Sequence, residues 1–122
     1  STDVCLPISN ITECVNYAEE QAKKFGLRAP MVGHLGDGNF HVLLPFDPEN
    51  KETYKKIREF NDLLIKKGLE LNGTITGEHG VGLHKKEYLL EEHPDNIPVM
   101  KSIKRTIDPN NIMNPGKIFD LN

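Results

Sequence analysis

The chain has 122 residues, enough for one modest hydrophobic core, and carries 15 basic against 18 acidic side chains for a formal net charge of -3. That balance excludes the strongly basic footprint of a nucleic-acid-binding module, so no DNA or RNA partner is expected. No apolar run is long enough to span a bilayer and no signal-peptide pattern is present, while Cys5 and Cys14 make no disulfide framework; the expected setting is a reducing cytoplasm.

Residues 3–8 alternate loosely and are β-rich up to Pro7, which predicts a first strand. Its abrupt start suggests a piece of something longer. In SNITECVNYAEEQAKKFG, Ile11, Cys14, Val15, Ala18, Ala22 and Phe25 recur at helical spacing. Asn10 is the expected N-cap, Glu13 its capping-box partner and Gly26 the stop. From Met31 to Phe46 the pattern becomes strand, turn, strand, with Asp37-Gly38 as a two-residue type I′ turn signal. Asp47-Pro48 is expected to open a second helix running through Tyr54, Ile57, Leu64 and Leu71 to the breaker Asn72-Gly73. A short β-branched run, residues 74–76, leads into GEHGVGLHKK, a loop whose glycines imply unusual backbone angles or close approach. Two short helical patterns, around residues 88–92 and 99–107, precede the turn-rich tail DPNNIMNPGKIF. This succession predicts an α+β fold, with helices on one face of a mostly antiparallel sheet.

In GHLGDGNFH a two-residue turn pairs His34 with His41. Directly opposed residues share a face with Cβ atoms about 4.5–5.5 Å apart, so both imidazoles can reach one cation. The same register sends Leu35, Phe40, Val42 and Leu44 to the other face, and puts Asn39 on the face of His41, where it can support a site. Two imidazoles suit zinc, manganese or iron, and a catalytic site usually adds a third protein ligand. Glu78, in TGEHG at the end of a run expected to pair beside the hairpin, is the best candidate. Its neighbour His79 is expected to point the other way and to serve proton transfer instead. The bland readings stand beside these: a hydrogen-bonded polar pair in the hairpin, and a loop histidine bonded to a carbonyl. His84 and His93 read as surface residues. GEHGVG lacks the Lys-Ser/Thr ending of a P-loop, which counts against phosphate binding.

GHLGDGNFH, TGEHGVGLHK and DPNNIMNPGKIF, in that order and near these separations, resemble the C-terminal part of the FAD-linked oxidases of the vanillyl-alcohol oxidase type, in particular D-lactate dehydrogenases and the D subunit of glycolate oxidase. The resemblance covers nearly the whole chain. It implies that residues 1–122 are the C-terminal substrate and metal-binding part of such an enzyme, a ferredoxin-like partial cap domain without the FAD-binding domain. It further implies that His34, His41 and Glu78 bind zinc or manganese, which holds the carboxylate and hydroxyl of a small D-2-hydroxy acid. His79 matches the general base on that hydroxyl, the carbon-bound hydrogen leaving as hydride to flavin, and Asn114 in the NPGK segment matches a flavin contact. Leu43 stands where relatives acting on larger 2-hydroxydiacids carry asparagine, which tilts the expectation towards D-lactate or glycolate.

The partners expected from this resemblance are the hydroxy acid, FAD and the N-terminal FAD domain of the same full-length chain, with the whole enzyme cytoplasmic and at most peripheral to a membrane. Alone, the chain should be catalytically silent for want of a hydride acceptor. It should also self-associate through the face the missing part covers. Two other readings remain: a free-standing metal- or carboxylate-binding module, and a purely structural domain with a vestigial histidine pair.

Overall fold

The computed structural model describes residues 1–121, which fall into two compact units, residues 1–79 and residues 80–121. The order of elements is β1 (Val4–Cys5), α1 (Ile11–Phe25), β2 (Met31–Val32), β3 (Asn39–Val42), α2 (Lys51–Glu70), α3 (Lys86–Glu92) and α4 (Ile97–Ile107). The fold is α+β, as the sequence pattern predicts, with one small antiparallel sheet in the order β1-β3-β2. Among the described residues no helix is long and apolar enough to cross a membrane.

In the first unit β3 is central. It pairs with β1 through Val4 and Phe40 and through Cys5 and Asn39, and with β2 through Met31 and Val42 and through Val32 and His41. Alternation along the strands then sorts the faces. Val4, Phe40 and Val42 are fully buried with Ile11, Cys14 and Ala18 of α1 and Phe60, Leu64 and Ile65 of α2, forming the core. Asp3, Asn39 and His41 occupy the opposite side and are buried too, so the polar face is covered as well.

Four local expectations need correction. The first strand is only Val4–Cys5, because Pro7 hands the chain to a 3-10 turn over Ile8–Asn10. Asn10 does sit at the N-cap of α1, but its amide donates to Leu71 O at 2.8 Å and Glu13 pairs with Lys67 at 2.7 Å. Contacts to α2 thus replace the capping box. The helix α2 begins at Lys51 rather than at Asp47-Pro48. Asn50 caps it, accepting from Thr53 N at 3.0 Å, while Asp47 spends its carboxylate on Glu49 N. The run after Gly73 forms a single bridge, Thr74 to Cys5, on the β1 edge and away from the hairpin.

The hairpin differs most. Residues 33–38 form the connection, with a 3-10 turn over Leu35–Asp37, and His41 lies opposite Val32 instead of His34. The carbonyl of His34 accepts from both Asp37 N and Asn39 N, and Gly38 closes the turn at φ 83°. A Cβ on Gly38 would lie 2.1 Å from Leu6 O, so the Asp-Gly signal serves a tight packing point rather than a two-residue turn. Leu35 is consequently exposed, not packed under the helices.

In the second unit α3 and α4 are followed by a tail that is tied back by its own groups. Asp108 accepts from Ile112 N and Met113 N and is paired with Lys104, whose ammonium holds its carboxyl below the usual carboxylate value, with the two backbone donors adding to the effect. Ile118 N donates to Gly82 O at 2.8 Å, and Lys86 reaches Asp120.

Candidate functional site

His41 is the fixed point of the site. It is carried on the central strand, with its side chain 9% exposed. Its Nδ1 lies 3.0 Å from Thr2 O. A carbonyl oxygen only accepts, so Nδ1 carries the proton and a neutral ring presents a lone pair at Nε2. That Nε2 faces Glu78 Oε1 at 2.9 Å. Two acceptors at this distance require a proton or a cation between them.

The other histidines converge on the same oxygen. His34 Nε2 is 3.8 Å and His79 Nε2 3.9 Å from Glu78 Oε1, and the rings of His41 and His79 stack at 4.7 Å with 4° between their planes. His34 therefore reaches the site from the turn, without opposing His41 across the ladder. Glu78 and His79 do not point apart as an extended strand would require. Residues 77–79 run through bends, and both side chains come to His41. Imidazole nitrogens and a carboxylate oxygen directed at one another form a donor set that suits a divalent cation, so the residues present fit a metal.

Asp3 is the residue that sequence reasoning missed. It is 2% exposed, and its Oδ2 accepts from Thr76 Oγ1 at 2.7 Å, Gly77 N at 2.8 Å and His79 N at 3.0 Å. Its Oδ1 accepts from Asn39 Nδ2 at 2.9 Å and lies 3.5 Å from His41 Nδ1. Asp3, His41 and His79 also present ligand atoms within 4.8 Å of one another. The oxygens of Asp3 are nevertheless occupied by these donors, so Asp3 supports the histidines instead of offering a free ligand. An acid directly before the apolar Val4, Cys5 and Leu6 of a β-rich segment was the available signal.

Asn39 uses its amide hydrogens on Asp3 and on Val4 O, and its Oδ1 is buried without a hydrogen-bond partner among the described residues. It lines a cavity of about 280 Å³ together with Cys5, His34, Thr76 and Glu78. Gly77 forms part of the same wall, and a Cβ there would meet Asn39 Nδ2 at 1.9 Å; only glycine lets the loop close onto the strand. Asn114 belongs to the second unit. It sits on an exposed turn at φ 46°, its carbonyl accepting from Lys117 N, and lines a cavity of about 220 Å³ with Lys104, Asn111 and Phe119.

Residues 1–118 match the family described as FAD linked oxidases, C-terminal domain. The chain is 42% identical over 122 residues to a probable mitochondrial D-lactate dehydrogenase of Danio rerio, covering 99% of this chain and 24% of that protein. It is 41% identical over 119 residues to the mitochondrial D-lactate dehydrogenase (cytochrome) of Arabidopsis thaliana, covering 97% and 21%. With the glycolate oxidase subunit GlcD of Bacillus subtilis it shares 39% over 118 residues, covering 96% and 25%. The chain thus spans about a quarter of the length of the curated relatives it matches. With nearly its whole length matched, the chain belongs to the FAD-linked oxidases as their C-terminal domain.

Proposed function

We propose that the chain is the C-terminal part of an FAD-dependent D-2-hydroxy-acid dehydrogenase of the D-lactate or glycolate type. His34, His41 and Glu78 would hold a divalent metal, zinc or manganese, with His79 as general base. The observation that carries this reading is the convergence of three imidazole Nε2 atoms on Glu78 Oε1, at 2.9, 3.8 and 3.9 Å. When bound, the metal supplies Lewis-acid polarisation of the substrate hydroxyl, and FAD, held mainly by the N-terminal part of the full-length chain, supplies the hydride acceptor.

The residues of this chain do the rest. The Thr2 carbonyl keeps the Nδ1 proton of His41 in place, so that its Nε2 lone pair stays directed into the site. His79, held against His41 by stacking and by its backbone bond to Asp3, takes the hydroxyl proton at Nε2. Asn39, which lines the cavity beside His34 and Glu78, supports the binding of the acid. Asn114 contacts the flavin. Leu43, at the position where relatives acting on diacids carry asparagine, favours a small acid. The isolated chain is silent in turnover and self-associates through its exposed apolar face. The cytoplasm is its proposed location; four relatives bear a mitochondrial designation, which makes the mitochondrion the alternative.

The test is Zn²⁺ titration by calorimetry of the metal-free full-length protein, with a His34→Ala, His41→Ala double variant beside it. One ion per chain, lost in the variant together with D-lactate oxidation, is the expected result. Equal binding by the variant would remove His34 and His41 from the ligand set.

A further inference from the structure

We infer that Asp3 is the positioning residue of the site, the one group that fixes the two functional imidazoles relative to each other. This rests on the reading of His41 as a ligand and His79 as a base. The geometry behind it is independent of that reading.

Asp3 sits on β1's N-terminal side, across from His41 in the register that pairs Val4 with Phe40. One of its oxygens gathers the Thr76 hydroxyl and the Gly77 and His79 amides, which fixes the backbone of the loop that carries Glu78 and His79. The other takes the Asn39 amide and lies near the His41 Nδ1 proton, which fixes the strand. A single buried carboxylate thus spans both halves of the site. The 4.7 Å stack of His41 on His79 is the distance it sets. Charge-assisted hydrogen bonds are the stronger kind, and every partner of Asp3 named here is a donor, so only a carboxylate satisfies them all. Asparagine in its place has one acceptor oxygen. Whichever way its amide is turned, an NH₂ faces either the three loop donors or the Asn39 amide.

Groups outside the ligand set that hold the ligands in place typically account for 10–100-fold in metal affinity. The full-length enzyme carrying Asp3→Asn is therefore expected to bind Zn²⁺ about 10–100-fold more weakly. Its kcat for D-lactate should fall at saturating metal, with little change in KM, because the base is displaced. Thr76→Val, which removes one donor and no charge, should move both quantities in the same direction by a smaller factor. Asp108→Asn, a buried carboxylate of the second unit, serves as the control: it should lower thermal stability and leave Zn²⁺ affinity unchanged.

Wild-type affinity and kcat in a folded Asp3→Asn protein would overturn the inference, as would an equal loss of affinity in Asp108→Asn. If Asp3→Asn does not fold, Thr76→Val decides: weakened Zn²⁺ binding supports the role, and unchanged binding overturns it. Absence of Zn²⁺ binding by the wild type would instead sink the metal reading, which separates the two failures.

Discussion

Cys14 and Cys5 show how placement alone divides two identical side chains. Cys14 is fully buried on α1, and burial pushes its thiol from 9.0 up to about 11, whereas Cys5 is half-buried and lines the cavity beside His34 and Glu78. Thiol reagents should label Cys5 in the native protein and Cys14 only after unfolding, which a timed labelling experiment in and out of urea checks. The raised value also has a sign in stability. The unfolded chain releases the Cys14 proton from about pH 9, while the folded chain keeps it to about pH 11. The thiol's contribution is therefore complete below pH 9 and is lost as pH rises through that window. Urea midpoints should fall more steeply over that range for the wild type than for Cys14→Ala. Residue identity made the candidates His34, His41, Glu78 and His79 legible, because imidazoles and a carboxylate flanked by glycine carry their chemistry in their composition. The role of Asp3 was not legible. It lies in four donors from elsewhere in the chain, Asn39, Thr76, Gly77 and His79, and no local pattern records those.

At the level of elements, the helices were readable and the turns were not. α1 follows from its apolar spacing and from Gly26, which adopts the left-handed conformation as the stop. Its start depends on tertiary partners, since Leu71 and Lys67 of the neighbouring helix region claim the side chains that local rules assign to the cap. The hairpin register failed for a similar reason. Gly38 is needed where its backbone meets Leu6, and that requirement, invisible in GHLGDGNFH, lengthens the connection. For α2 the effective signal was Asn50, two residues after the Asp-Pro pair. Replacing Asn50 by Ala should cost about 1 kcal/mol of stability and replacing it by Gly only a few tenths. Denaturant midpoints that shift with an unchanged slope are the check; equal losses in the two variants would mean that the cap bond to Thr53 contributes little.

On the scale of the molecule, the first unit contains the whole histidine cluster, while the second leaves apolar side chains in solvent. Val99, Ile103 and Ile107 recur at four-residue intervals along α4 and are each more than half exposed, as are Ile112 and Met113 in the tail. An isolated 122-residue chain should therefore sediment as concentration-dependent oligomers, and Ile103→Asp with Ile107→Asp should restore the monomer. A monomer at high concentration without these changes would count against self-association. The first unit has a different vulnerability. The bonds that join Asp3 to Thr76, Gly77 and His79 bridge 73 to 76 positions of sequence. Closing a loop of that length costs about 4 kcal/mol of chain entropy beyond a constant. Three charge-assisted bonds return an amount of the same order, about 1.5–3 kcal/mol each. The cluster is thus a clasp between the two ends of one unit, and a chain cut before Thr76 would lose three of the donors that hold the Asp3 carboxylate.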